Sequence, residues 1–153
     1  MHNSALAERQ SHRLTQIGMS LFLIGLIVGI LVPFFAVPRL ALSAHLLAIF
    51  QGIFLVVVGL LWPKLRMTVK VSRLLFWLAI YGCFSAFTAN ILAGVWGAGN
   101  TMLPLAAGQA QGSPLEEGFI SVLLRSAAVA LITSVALILW GLQSQGDDRP
   151  KES

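Results

Sequence analysis

The sequence predicts an all-α integral membrane protein, an up-down-up-down four-helix transmembrane bundle, and three observations predict it. Hydrophobic residues make up 57% of the 153-residue chain and charged residues only 10%, with a mean hydropathy of +0.84, which is too apolar for an ordinary soluble domain. The apolar residues fall into four runs, each about long enough to cross a hydrocarbon core of roughly 30 Å. The basic residues flank these runs instead of forming a patch. The formal net charge of +4 therefore argues for membrane orientation and against a nucleic-acid partner.

Residues 1–15 are polar and read as an N-terminal tail. The first span covers about 16–35; its apolar run exceeds the roughly 7–15 residues of a signal-peptide core, and no convincing small-x-small cleavage site follows it. Pro33 and Pro38 bracket its end because proline lacks the amide hydrogen that a continuing helix needs. Arg39 lies in the short connection. The second span runs over about 42–62 and is closed by Trp62, an interfacial aromatic, followed by Pro63. Lys64, Arg66, Lys70 and Arg73 then crowd one short loop. The third span covers about 74–97, with Trp77 and Trp96 near its ends. Ala98 to Leu115 is rich in Gly, Ala and Pro and carries no charge. Ser113-Pro114-Leu115-Glu116 has the form of a capping box with proline at the first helical position, so the fourth helix starts there and runs over about 114–142. The membrane domain is thus 16–142, and 143–153 reads as a disordered tail.

Lysine and arginine set the orientation: two lie in the N-terminal tail, four in the middle loop and two in the C-terminal tail, against Arg39 alone in the loops of the other side. The positive-inside rule then places both termini in the cytoplasm. The single cysteine, Cys83, lies inside a span, so no intramolecular disulfide can form, and it reads as a small apolar packing residue.

Depth makes the remaining polar residues informative. His45, the only histidine outside the N-terminal tail, sits near the outer end of the second helix, with Gln51 six residues further in. Asn90 in the third helix and Arg125 in the fourth fall in the same layer, within roughly 5–14 Å of the outer boundary at 1.5 Å per residue. If they face inward they form one site, roofed by the uncharged 98–115 loop. Intramembrane polar groups are costly unless they bind something. Plainer roles stand beside that reading: Gln51 and Asn90 as hydrogen bonds between helices, His45 reaching headgroups, and Arg125 snorkelling outward or pairing with Glu117. Gly52, about two turns beyond His45 on nearly the same face, leaves space beside the imidazole for a flat cofactor. Gly25-x-x-x-Gly29 and the row Ser85, Ala89, Ala93, Gly97 mark close helix contacts, while Trp77, Tyr81, Phe84 and Thr88 form a stripe at helical spacing that reads as packing.

Several segments together resemble the hydroxylaminobenzene mutase family: Pro38-Arg-Leu-Ala-Leu-Ser-Ala-His45-Leu, Gln51-Gly52-Ile-Phe-Leu, Gly59-Leu-Leu-Trp-Pro-Lys-Leu65, Phe76-Trp-Leu-Ala-Ile-Tyr-Gly82, Val95-Trp-Gly-Ala-Gly99 and Pro104-Leu-Ala-Ala-Gly108. That likeness covers about Thr15 to Leu142. It implies an isomerase that rearranges hydroxylaminobenzene to 2-aminophenol by intramolecular hydroxyl transfer. A more distant similarity is to styrene oxide isomerase, in which an Ala-His pair is followed by Asn-Gly at the sixth and seventh positions after the histidine; here Ala44-His45 is followed by Gln51-Gly52. This second resemblance implies a homotrimer with haem b, iron held by His45, Gly52 beside the cofactor, and iron serving as a Lewis acid. It also implies Gln51 as the pocket amide. The catalytic tyrosine of that family falls near Asn90, and not on a tyrosine, by ungapped matching through Arg73, so the tyrosine's role has no owner here. Arg125 is the candidate to neutralise a haem propionate. The alternative from another class is a small oligomeric transporter or channel subunit; against it, the polar residues occupy only the outer half of the spans.

Overall fold

The computed structural model describes residues 2–143, with side chains from Leu6 onward. Four long helices carry the fold: α1 (His2–Leu31), α2 (Pro38–Leu61), α3 (Val69–Trp96) and α5 (Pro114–Gln143), with one short helix, α4 (Pro104–Ala107), in the last connection. All four are long and apolar enough to cross a membrane.

The helix ends follow local chemistry. Pro38 opens α2 instead of sitting before it, because a first-turn proline gives up no intrahelical hydrogen bond. Thr68 caps α3, and Gly97 ends it in the left-handed conformation at φ 68°, which a residue without Cβ adopts without penalty. Ser113 and Glu116 form the expected capping box, the Ser113 amide donating to Glu116 Oε2 at 2.7 Å and the Glu116 amide to Ser113 Oγ at 3.4 Å.

Two boundaries differ from the sequence reading: α3 starts at Val69, so Lys70 and Arg73 lie on its first turns and not in the loop, and α1 starts far earlier than residue 16. The polar segment 1–15 is not a separate tail: α1 is helical from His2, and its first turns are packed. Leu14 is fully buried, Ser11 Oγ donates to the Gly59 carbonyl at 2.8 Å, and Gln10 Oε1 accepts from Ser72 Oγ at 2.8 Å and Trp62 Nε1 at 3.3 Å. A buried stripe at helical spacing runs through a segment whose average composition is polar. The tail expected at the other end falls on residues 144–153, outside the described residues.

The helices pack mainly on their neighbours in sequence: α1 along α2, α2 along α3 and α3 along α5. No comparable seam joins α1 to α5 among the described residues, so the helices form an open row. The α1–α2 seam is the most extensive and is built on glycine. A Cβ added at Gly18 would meet the Gly52 carbonyl at 2.6 Å, one at Gly25 would meet Ala48 Cβ at 2.9 Å, and one at Gly59 would meet Thr15 Oγ1 at 2.6 Å. Contact partners thus rise in number along α1 as they fall along α2. One core cluster includes Leu14, Leu21, Leu55, Leu75 and the fully buried Cys83; a second, beneath the 98–113 connection, joins Leu40, Ala89, Ala93, Ala98 and Ile120. Large apolar side chains such as Ile30, Phe50, Leu60, Val122 and Ile132 are exposed around the outside.

Candidate functional site

His45 is half-buried on the α1–α2 seam, where α1 carries no side chain to obstruct it. Its Nδ1 lies 2.8 Å from the Gly25 carbonyl oxygen. A carbonyl only accepts, so Nδ1 carries the hydrogen; in the neutral ring the lone pair then belongs to Nε2. Gly29 provides the seat: a Cβ there would stand 2.6 Å from Nδ1 and 2.7 Å from Cε1. The Gly25-x-x-x-Gly29 pattern therefore does two things. It lets the helices approach, and it fixes the tautomer and orientation of the one imidazole outside the first turns of α1.

The other sequence candidates do not converge on His45 within one chain. Gln51 is buried at 6% exposure, about 120° around α2 from His45 at 3.6 residues per turn, and its Oε1 has no hydrogen-bond partner among the described residues. Asn90 is buried and donates from Nδ2 to the Ala86 carbonyl of its own helix at 3.0 Å. Gly52 does share the His45 face, but α1 fills the space beside it: a Cβ on Gly52 would meet the Gly18 carbonyl and the Phe22 amide, each at 2.8 Å. The expected room for a flat cofactor at Gly52 is therefore taken by helix backbone. Arg125 is exposed on α5, which packs on α3, and it makes no hydrogen bond or ion pair among the described residues.

Glu117, considered from sequence only as a partner for Arg125, is instead the organiser of the last connection. It is buried at 8% exposure, and its Oε1 accepts from the amides of Gly99 at 2.7 Å, Asn100 at 3.1 Å and Gly112 at 3.3 Å, while Oε2 accepts from Thr101 at 3.0 Å. The loop wraps one carboxylate. Its glycines at positive φ, Gly97, Gly99 and Gly108, permit the necessary turns. The capping box places Glu117 in the first turn of α5, but nothing in the spacing shows which amides would close on it. Tyr81, ranked as packing, meets Ser126 Oγ at 2.8 Å across the α3–α5 seam.

An all-helical chain with four membrane-length helices and one seated imidazole defines a compact class of small helical protein. Comparison with known proteins gives the class its chemistry. The family model described as styrene oxide isomerase matches residues 10–143. Two relatives from Ectopseudomonas oleovorans are similar over most of the chain: hydroxylaminobenzene mutase HabB, 40% identical over 144 residues covering 94% of this chain and 88% of that protein, and hydroxylaminobenzene mutase HabA, 38% identical over 125 residues covering 82% and 93%. No solved structure matches. The chain belongs to the styrene oxide isomerase family, and it is an isomerase. The transporter alternative gives way to this.

Proposed function

We propose that the chain is a membrane-embedded mutase that rearranges an arylhydroxylamine, with hydroxylaminobenzene as the parent compound, to the ortho-aminophenol by moving the hydroxyl group within one molecule. The names of the two relatives, both hydroxylaminobenzene mutases, supply the substrate class. The single observation that carries the site is the imidazole of His45, held by Gly25 and seated on Gly29 with Nε2 left as the basic nitrogen. In this reading the four helices cross the bacterial inner membrane up-down-up-down with both termini cytoplasmic. The opposite order of contacts along α1 and α2 and the placement of Lys and Arg support it.

Haem b is the cofactor that the resemblance implies, and the donor chemistry at His45 fits it. A metal-bound histidine characteristically gives its other N–H to a carbonyl or carboxylate, which fixes the tautomer and raises the basicity of the ligating nitrogen. His45 has that arrangement through Gly25. His45 would hold the iron; bound there, haem would supply a Lewis acid for the hydroxylamine oxygen. Gln51, buried about 120° around α2 from His45, and Asn90, bonded to its own helix, do not reach a substrate held at His45 within one chain, so they stand in this reading as a separate polar pair and not as its ligands. The apolar walls of the helices would keep bulk water from the activated ring, so that the migrating hydroxyl is not replaced by solvent. Because Arg125 and His45 stand on different seams, Arg125 would approach a haem propionate only from a neighbouring copy, in a homo-oligomer that the resemblance makes a trimer.

Purified protein given hydroxylaminobenzene in ¹⁸O-labelled water tests the reading. The expected product is 2-aminophenol without label. Absence of conversion, or a labelled or para-substituted product, overturns it. A Soret band in the same preparation tests the haem separately. A second expectation concerns the seat. Gly29→Ala puts a methyl group into the imidazole, which must leave the Gly25 carbonyl; the initial rate of 2-aminophenol formation should fall roughly 10–100-fold, the usual cost of losing such a supporting bond.

A further inference from the structure

At the end of the molecule remote from His45, α1 and α3 enclose a cleft walled by three arginines. Arg9 and Arg13, four residues apart on one face of α1, line it from one side and Arg73 of α3 from the other, with Trp77 at its rim. All three guanidiniums are exposed, and none makes an ion pair or hydrogen bond among the described residues. No carboxylate lines the cleft. Glu8 opens into the neighbouring cleft on the other side of Arg9 and Arg13 and pairs with neither.

Like charges facing one cavity repel unless an anion lies between them. Guanidinium forks suit a phosphate, whose oxygens they bind two at a time. The surface that continues from the cleft along α3 is apolar and open: Leu74 is 52% exposed, and Trp77, one turn beyond Arg73, is 65% exposed. A tryptophan at such a position lies at headgroup level in a membrane. A free phosphate would use the arginines and leave the apolar strip unused; a phospholipid uses both.

We propose that the Arg9–Arg13–Arg73 cleft binds the phosphate of an anionic phospholipid, whose acyl chains lie along Leu74 and Trp77. The site is separate from His45 and rests on the reading of the four helices as membrane-spanning. The lipid would add a second bridge between α1 and α3 beside the bond from Ser72 Oγ to Gln10 Oε1.

The test is thermal unfolding of the full chain, purified in neutral detergent, with increasing phosphatidylglycerol or phosphatidylcholine in mixed micelles and with inorganic phosphate alone. Phosphatidylglycerol should stabilise the parent at concentrations about tenfold lower than phosphatidylcholine. Arg73→Gln should raise the phosphatidylglycerol concentration needed roughly fivefold, the usual contribution of one basic residue near an anionic headgroup. Lys70→Gln, the same charge change one turn earlier and outside the cleft, should leave it unaltered. Arg13→Gln tests the other wall and should behave as Arg73→Gln does. Equal responses to the two lipids, or equal responses of the Arg73 and Lys70 variants, would overturn the proposal. So would stabilisation by inorganic phosphate at the same concentrations. Extraction of the protein from cell membranes by carbonate, without detergent, would instead count against the membrane-spanning reading itself.

Discussion

Conversion of hydroxylaminobenzene by His45→Ala protein is expected to fall by about 10³-fold or more, which corresponds to roughly 4 kcal/mol of lost transition-state stabilisation. Alanine leaves no nitrogen on the α1–α2 seam. The one imidazole seated on the α1–α2 seam is then gone, while Gly25, Gly29 and the rest of the seam are unchanged. The fold should feel much less: one hydrogen bond, Nδ1–H to the Gly25 carbonyl, contributes about 1 kcal/mol. The measurement is the initial rate of 2-aminophenol formation at equal amounts of folded protein, with an absorption spectrum of each preparation. Loss of rate together with loss of a Soret band makes His45 an iron ligand. Loss of rate with no band in either protein keeps His45 and discards haem. A variant as fast as the parent moves the chemistry away from this seam, with Gln51 the next residue to replace.

The second large effect is on the loop between α3 and α5. Glu117→Leu should destabilise the folded loop by about 3–5 kcal/mol, because it removes a carboxylate that accepts from four backbone amides and leaves those amides without an acceptor. Hydrogen bonds to a charged acceptor contribute about 1.5–3 kcal/mol each, but four on one carboxylate share its charge and do not add. Hydrogen exchange is the direct readout: the amides of Gly99, Asn100, Thr101 and Gly112 should exchange roughly 10²–10⁴ times faster. Glu117→Gln keeps the shape and one acceptor and should fall between parent and Leu. Unchanged exchange in the Leu variant would mean that the glycine-rich loop holds its shape from its own turns.

What the sequence could convey depended on how local the signal was. The four apolar helices and the Ser113–Glu116 cap are written in composition and short spacing, and they are present as read. The packed first turns of α1 were hidden because Gln10, Ser11 and Leu14 are one stripe within a polar segment, and a window average reports the segment. Which helix carries His45, Gln51, Asn90 and Arg125 was legible; direction was not. Each could face any of several ways until its neighbours were known, and α5, packed chiefly on α3, leaves most of its circumference outward, Arg125 included. The space imagined beside Gly52 was a question about α1, and α1 fills it. Glu117 was missed for a related reason: its four partners come from a loop with no periodicity to read.

The seat of His45 lies wholly within the first helical hairpin. Gly25 and Gly29 belong to α1 and the imidazole to α2, so everything that holds the ring is encoded before residue 62. During synthesis this pair can close while α3 is still within the ribosome. A truncated chain ending after α2 should therefore already protect the imidazole. Later helices would join an imidazole whose orientation had been decided without them.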